Sequence, residues 1–174
     1  MTELPVAIRR FRAEDMDAML RFSRALPEHD LLFLSRDLKH RRVVEAWLEA
    51  VEDGFIDSFV AEDGDAIVGT SALVRDPLGW STHVGEVRLL VSPELRGQGV
   101  GRRLLAEMFT MAEQRELKKL TAQMTSDQAG ARRLFEDHGF REEALLKDQV
   151  MDRQGRLHDL MMLNLSLAKA GVAD

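Results

Sequence analysis

The chain contains no cysteine among its 174 residues. That absence excludes a disulfide framework, a cysteine-ligated zinc site and a cysteine nucleophile. No apolar run approaches the roughly 20 residues of a transmembrane helix, and the amino-terminal region lacks the basic and apolar segments of a secretion signal. We therefore expect a soluble, cytoplasmic protein with no membrane partner, in which any group transfer proceeds without a covalent cysteine intermediate.

Positive charge is also scarce, since 24 Lys and Arg stand against 30 Asp and Glu and give a formal net charge of −6. Proteins that bind nucleic acids draw affinity from neutralising phosphates with Lys and Arg, so we expect no nucleic-acid partner. The His, Asp and Glu residues show no convincing metal-ligand spacing, and we predict no metal.

The length is typical of one domain with a proper core. No repeat period or low-complexity segment divides the chain. The sequence therefore predicts a single domain over 1–174, with a core at about 5–168.

Hydrophobic periodicity divides the chain into seven strands and four helices. The strands are predicted at 5–11, 56–62, 66–75, 83–91, 117–124, 142–151 and 157–167. The helices are predicted from about Met16 to the residues before Pro27, and at about 37–52, 99–115 and 129–138. This order indicates a mixed α/β sheet with an antiparallel meander and one parallel crossover, from Glu86 to Met124.

A glycine-rich turn, Arg96 to Arg103, follows the apolar strand 83–91 and opens a long amphipathic helix. Glycines let backbone approach a ligand closely, and the unpaired amides at a helix start attract anions, so the turn predicts a phosphate site. A P-loop would need Gly-Lys followed by Ser or Thr, which is absent, and the dinucleotide fingerprint fails because Arg102 stands where its third glycine belongs. An ordinary helix-entry loop is the alternative reading of the turn alone.

The wider context resembles a known family. The pattern from Arg96 to Gly101, preceded by the run 89–93, resembles the acyl-coenzyme A motif of the GNAT acetyltransferase superfamily, and the element order is similar to its fold over nearly the whole chain. The run 131–140 is similar to the family's fourth helix and the Gly-Phe pair that starts its sixth strand. Glu86, seven residues before Pro93, and the closing pair His158-Asp159 are most similar to phosphinothricin-type and small-amine acetyltransferases.

The resemblance implies a GNAT-like α/β fold, with a mixed, mostly antiparallel sheet of about seven strands, four helices and a splay between the fourth and fifth strands. It implies acetyl-CoA as co-substrate, lying in that splay with its pantetheine along the fourth strand and its pyrophosphate on the glycine turn. The residues implied for coenzyme A are Leu89, Leu90, Val91, Arg96, Gly97, Gln98, Gly99, Val100, Gly101, Arg102, Gln128 and Phe135.

The implied activity is transfer of an acetyl group to a primary amine of a small molecule or peptide, directly within a ternary complex. An amine attacks only as the free base, and the resemblance implies Glu86 as the base, with His83 as a weaker alternative. A plain strand carboxylate alternating with Arg88 is the competing interpretation of Glu86. The oxyanion would be held by the backbone amide of Leu90 or Val91, near a local irregularity in the strand.

The sequence departs from the family pattern at the fourth helix. Many members have an Asn at its start and a Tyr seven residues later that protonates the departing thiolate, whereas Gln128 and Phe135 stand there and the chain has no tyrosine. The thiol can leave as thiolate or take a proton from water. A catalytically weak acyl-CoA-binding sensor or regulatory module is therefore the alternative function.

The acceptor pocket of this fold is implied to lie between the segments 28–34 and 152–156. Two carboxylates of the first segment, Glu28 and Asp30, could recognise a second positive charge on the acceptor amine. The simpler interpretation is that they are ordinary solvated loop charges. Three arginines could instead hold a carboxylate of the acceptor: Arg36, Arg75 and Arg156. A homodimer through the final strands is an analogy with such folds.

Overall fold

A single sheet of seven strands organises the computed structural model, which describes residues 5–167. Residues 1–4 and 168–174, which include the ends of the predicted domain and residue 168 of its predicted core, lie outside the described residues. The elements are β1 (Ala7–Arg10), α1 (Met16–Ala25), α2 (Arg41–Glu52), β2 (Ile56–Asp63), β3 (Ala66–Val74), β4 (Val84–Val91), α3 (Val100–Gln114), β5 (Lys119–Thr125), α4 (Ala129–Asp137), β6 (Arg141–Met151) and β7 (Leu157–Ser166).

The strand order is β1-β2-β3-β4-β5-β7-β6, and every neighbouring pair is antiparallel except β4 and β5. This confirms the predicted mixed, mostly antiparallel sheet with four helices and its one parallel crossover. The parallel pairing runs from Val84 opposite Lys119 to Val87 opposite Ala122, and then stops. Because β4 continues to Val91 and β5 to Thr125, the two strands part over their carboxyl-terminal halves.

Alternation along the strands separates two apolar cores, one on each face of the sheet. On one face, Phe59, Leu73 and Val87 pack with α3 and with Phe135 of α4. On the other, Val60, Ala72 and Leu90 pack with α1 and α2. The sheet is therefore covered on both faces, and β4 contributes side chains to both cores.

The second helix begins later than predicted, at Arg41 instead of about residue 37. The carboxylate of Asp37 accepts a hydrogen bond from the amide of Lys39 at 2.9 Å, and the amide of His40 donates to the Asp37 carbonyl. An aspartate that hydrogen-bonds to nearby backbone favours a turn over a helix. The preceding connection contains a short 3₁₀ helix, Glu28–Leu31.

The far end of α3 is tied to the sheet by a buried carboxylate. Asp57 of β2 is 3% exposed and accepts two hydrogen bonds from Arg115, at 2.8 and 3.1 Å. Arg10 lies 3.4 Å and Arg75 3.8 Å from the same carboxylate. Within residues 5–167, no helix is long and apolar enough to cross a membrane.

Candidate active site

A cavity of about 760 Å³ opens where β4 and β5 part. Its walls come from the end of β4, the end of β5, the glycine turn, α4 and the 3₁₀ connection before α2. All but two of the residues predicted for coenzyme A line it: Leu89, Leu90, Val91, Arg96, Gly97, Gly99, Gly101, Arg102, Gln128 and Phe135.

The glycine turn forms an open backbone surface at one end of this cavity. Gly97 and Gly99 have φ of +75° and +87°, which favour glycine, and no atom lies within 4 Å of where a Cβ would stand. Among the described residues, the amides at 97–99 have no backbone acceptor, and the first turn of α3 adds further unpaired amides. The turn therefore offers several donors and the positive end of a helix dipole to an anion.

The two exceptions, Gln98 and Val100, are occupied elsewhere. The side-chain amide of Gln98 donates to the Glu94 carbonyl at 3.0 Å, which closes the turn locally. Val100 is 1% exposed and packs into the core under α3, so only its backbone is available to a ligand.

The β4 backbone presents alternate amides to the cleft. The amide of Ser92 donates to the Val68 carbonyl at 2.9 Å, and the register of β3 with β4 runs without a shift from Gly69 opposite Val91 to Val74 opposite Glu86. Antiparallel strands alternate between hydrogen-bonded and non-bonded pairs, so the Leu90 amide is directed to β3, whereas the amides of Leu89 and Val91 face the cleft. The prediction of an irregularity at this point of β4 is wrong, because the pairing of β4 with β3 is continuous.

An ionic contact joins two residues of the cavity wall, Asp30 and Arg96. Arg96 donates to a carboxylate oxygen of Asp30 at 2.6 Å, and the side-chain amide of Gln128 donates to the other oxygen at 3.3 Å. Asp30 therefore joins the 3₁₀ connection to two residues predicted for coenzyme A. This pairing spans 66 and 98 residues of sequence, so no local motif could have indicated it.

A histidine that sequence spacing did not single out also lines the cavity. His29 Nε2 lies 2.9 Å from Asp127 Oδ1 and 3.3 Å from Thr125 Oγ1, and the imidazole meets the His158 ring edge to face at 5.2 Å between centroids. Burial opposes ionisation of Asp127, but the hydrogen bonds from His29 and Thr125 outweigh it and lower the pKa of that carboxyl. Two sequence predictions lay near this contact, because His29 belongs to the predicted acceptor segment 28–34 and Asp127 immediately precedes Gln128.

Glu86 lies beside the cavity and does not line it. It sits on β4 with Val74 and Thr121 as strand neighbours, on the sheet face that carries α1 and α2. Both of its carboxylate oxygens accept a bond from Arg88 at 3.2 Å. His83 precedes β4, is exposed and is engaged through its backbone carbonyl, which accepts from Lys118 at 2.8 Å.

The two segments predicted to border the acceptor do meet. The amide of Arg153 donates to Glu28 at 3.0 Å, and its guanidinium donates to Asp37 at 2.5 Å. A second cavity of about 330 Å³ lies between them, with Glu28, Leu31, Met151 and Arg153 in its walls. Glu28 is thus already engaged by an arginine of this chain.

The two residues of the closing pair His158-Asp159 contact different partners within the chain. His158 lies 2.9 Å from Asp152, and this bond, with further bonds from Arg156, holds the pKa of Asp152 well below its usual range. Asp159 instead accepts the amide of Asp148 at 2.9 Å. Among residues 5–167, no three His, Asp or Glu side chains are grouped so that they could hold a metal ion.

Comparisons with known proteins agree with this geometry. A profile of the acetyltransferase (GNAT) family matches residues 21–140. Over 112 residues the chain is 31% identical to YwnH of Bacillus subtilis (strain 168), named as a candidate phosphinothricin acetyltransferase, with 63% of this chain and 68% of that protein covered.

Solved structures share the architecture. A ribosomal-protein-alanine N-acetyltransferase from Brucella melitensis is 27% identical with a TM-score of 0.76, covering 92% of this chain and 99% of that one. The Salmonella typhimurium protein yncA, named as a candidate acetyltransferase and solved with its cofactor acetyl-CoA, is 22% identical with a TM-score of 0.79, covering 97% and 98%.

Proposed function

Because the chain belongs to the acetyltransferase (GNAT) family, whose acetyl donor is acetyl-CoA, we propose that it transfers the acetyl group to a primary amine of a small molecule or peptide. Transfer is direct, within a ternary complex, and the whole of 1–174 acts as one acetyltransferase domain. The observation that carries the proposal is the cavity of about 760 Å³ that begins where β4 and β5 part and ends at the glycine turn.

The residues of this cavity fit coenzyme A. The amides at 97–99 and the start of α3 would hold the pyrophosphate, and Arg96 and Arg102 would supply positive charge. The amides of Leu89 and Val91 would hold the pantetheine and the carbonyl oxygen as extra partners of the β4 edge. When bound, the coenzyme supplies an activated acetyl carbonyl.

Of the two backbone amides considered for the oxyanion, that of Val91 is better placed to donate to it. Its amide faces the cleft, whereas that of Leu90 is directed to β3. A donor fixed by strand pairing is already oriented before the oxyanion forms, which is the arrangement that stabilises such charge.

Glu86 is the proposed base. A lysine-like amine has a pKa of about 10.4 and is mostly protonated at neutral pH, so a proton must leave before attack. The carboxylate is held in position by Arg88 at 3.2 Å, and it stands on the sheet face that carries the acceptor-side connection. It would take the proton from the amine directly or through water.

One observation favours the sensor alternative. Phe135 fills the place where many members of this family have a tyrosine, and its phenyl ring has no proton to donate. It is 4% exposed and packs edge to face on Phe140 at 5.0 Å. A protein that binds acetyl-CoA without turnover would need only the binding surface.

Thiol release with a panel of amines separates the two functions. We expect amine-dependent release by the wild type, and a lower kcat with unchanged acetyl-CoA affinity in Glu86→Gln, because the base is removed and the coenzyme contacts are not. Glu113→Gln, an exposed change on α3, is the control.

Binding without turnover of any amine, together with no effect of Glu86→Gln, would support the sensor. Absence of acetyl-CoA binding would contradict both functions. Thermal stabilisation measures this binding independently of turnover, and we expect acetyl-CoA to stabilise the protein more than NAD or ATP does.

A further inference from the structure

We propose that His29 donates the proton taken up by the departing coenzyme A sulfur, with Asp127 as the positioning residue that orients the imidazole and stabilises its charge. This inference rests on the proposed function. It assigns a proton donor to a chain that has neither tyrosine nor cysteine.

The cavity itself narrows the choice of donor. Its charged or titratable lining residues are His29, Asp30, Arg96, Arg102, Arg133 and Asp137. Arginine keeps its proton at all ordinary pH values. Asp30 is paired with Arg96 at 2.6 Å, and Asp137 is exposed at the carboxyl-terminal end of α4. Histidine is the side chain that ordinarily exchanges a proton near neutral pH, and His29 is the one histidine among these lining residues.

The hydrogen bonds leave one imidazole nitrogen for the reaction. Nε2 faces Asp127 and Thr125, and among the described residues Nδ1 has no hydrogen-bond partner. A carboxylate on one ring nitrogen fixes the ring orientation and leaves the other nitrogen free to exchange a proton with a ligand. Asp127 and His29 have this relationship, with the ring in the wall of the acetyl-CoA cavity.

The proposed step balances without another reactant. Glu86 first passes the ammonium proton to water. The free amine nitrogen then forms a bond to the acetyl carbon, and its remaining surplus proton goes to Glu86 directly or through water. The carbon–sulfur bond then breaks with its electron pair on sulfur, and the sulfur takes the proton from His29 Nδ1. Water returns a proton to His29 and receives one from Glu86, so the net products are the amide and the coenzyme A thiol.

Several charged groups surround His29 and set the conditions for a pH measurement. Asp127 faces it from the β5–α4 connection, and His158, backed by Asp152 and Arg156, faces it from β7. On its own connection, Asp30 is paired with Arg96 and Glu28 with Arg153. Substitution at His29 itself is therefore the cleanest perturbation.

The kinetic test is His29→Gln, with His40→Gln as the matched control. His40 is an exposed histidine that does not line the cavity, so its substitution should leave kcat unchanged. Positioned acids contribute on the order of 100-fold or more, so we expect a loss of about 100-fold in kcat for His29→Gln. The wild-type kcat should fall at high pH as the imidazolium is lost, and this limb should be absent from the variant.

A second readout does not require turnover. In the complex with coenzyme A, the His29 imidazole NMR signals should be displaced from their positions in the complex with a desulfo analogue, because the sulfur lies beside Nδ1 only in the first complex. Asp127→Asn should reduce this displacement, because the ring loses the carboxylate that orients it. A merely structural histidine would respond equally to both ligands.

The outcomes separate this inference from the proposed function. Wild-type turnover with an unchanged kcat and pH profile in His29→Gln would overturn the inference alone. Equal His29 NMR signals in the two complexes would also overturn it, even if no amine were turned over. Absence of acetyl-CoA binding would contradict the proposed function and the inference together.

Discussion

Replacing Asp57 with Asn should destabilise the fold without weakening acetyl-CoA binding. The carboxylate is 3% exposed and accepts two hydrogen bonds from Arg115, with Arg10 and Arg75 as further cationic neighbours. An amide keeps the shape but removes the charge that these guanidinium groups face. The variant therefore leaves three arginines with weaker partners at the carboxyl-terminal end of α3.

The expected loss of unfolding free energy in Asp57→Asn is smaller than the loss from breaking a fully buried ion pair. Hydrogen bonds to charged groups contribute about 1.5–3 kcal/mol each, and breaking a fully buried pair costs about 3–5 kcal/mol. Arg115 is 40% and Arg10 56% exposed, so water replaces part of the interaction. We expect about 2–3 kcal/mol, which corresponds to a fall in Tm of about 4–12 °C for a domain of this size.

The pH dependence has a defined sign. Burial opposes ionisation of Asp57, but the hydrogen bonds and charges of its arginine neighbours, Arg115 first, outweigh it and lower its pKa in the folded protein. The ionised carboxylate therefore stabilises the fold above the unfolded-state pKa of about 3.9, and this stabilisation is lost as pH falls through the folded-state pKa. The difference between wild type and variant should be full at neutral pH and shrink in acid.

Urea unfolding at several pH values measures this difference, with Asp17→Asn as the control. Asp17 pairs with Arg41 at 2.8 Å but is 73% exposed, so its substitution should have little effect. Acetyl-CoA affinity should be unchanged in Asp57→Asn, because the 15 residues of α3 place the glycine turn about 22 Å away. An unfolding free energy equal to that of the wild type, or a difference that grows in acid, would show that the Asp57 charge does not stabilise the fold.

Three further substitutions test other features. Gly99→Ala should lose about 1 kcal/mol of stability, because a residue in the left-handed region gains a Cβ, and it should also weaken acetyl-CoA binding. Gly54→Ala introduces the same strain away from the cavity, so parallel melting and titration experiments should show a loss of stability alone. Asp30→Asn frees Arg96 from an ion pair in which Arg96 is 47% and Asp30 11% exposed, and it should tighten acetyl-CoA binding up to about fivefold by calorimetry. An unchanged or weaker affinity would argue against Arg96 as a phosphate ligand. Gly85→Ala would place a Cβ 2.6 Å from Leu73 and 2.7 Å from Leu117, and chemical denaturation should show a loss of about 1–3 kcal/mol, with a wild-type midpoint as the contradicting result.

The order and type of the helices and strands could be predicted because each has a clear hydrophobic periodicity. The apolar stripe of α2, for example, is evident in the sequence, but its start at Arg41 depends on a side-chain turn at Asp37 that competes with the helix. The short 3₁₀ segment Glu28–Leu31 has no period of its own. Such boundaries are decided by individual hydrogen bonds, which hydrophobic patterns do not report.

The candidate site also has a part that the sequence predicts and a part that only the fold shows. The coenzyme-facing residues of β4 and the glycine turn are contiguous, so a motif could identify them. The contacts of His29 with Asp127 and of Asp30 with Arg96 join residues 98 and 66 positions apart, and only the folded chain brings them together. The direction of the Leu90 amide likewise depends on its pairing with β3, which a single strand's sequence does not specify.

A crystal structure of the complex with coenzyme A is the decisive measurement for the proposed binding site. We expect the pyrophosphate on the amides from Gly97 to Gly101, the pantetheine along the edge of β4 between the parted strands, and Arg96 turned from Asp30 to a phosphate. Coenzyme A bound outside the β4–β5 cleft, or with its pyrophosphate away from the glycine turn, would contradict it.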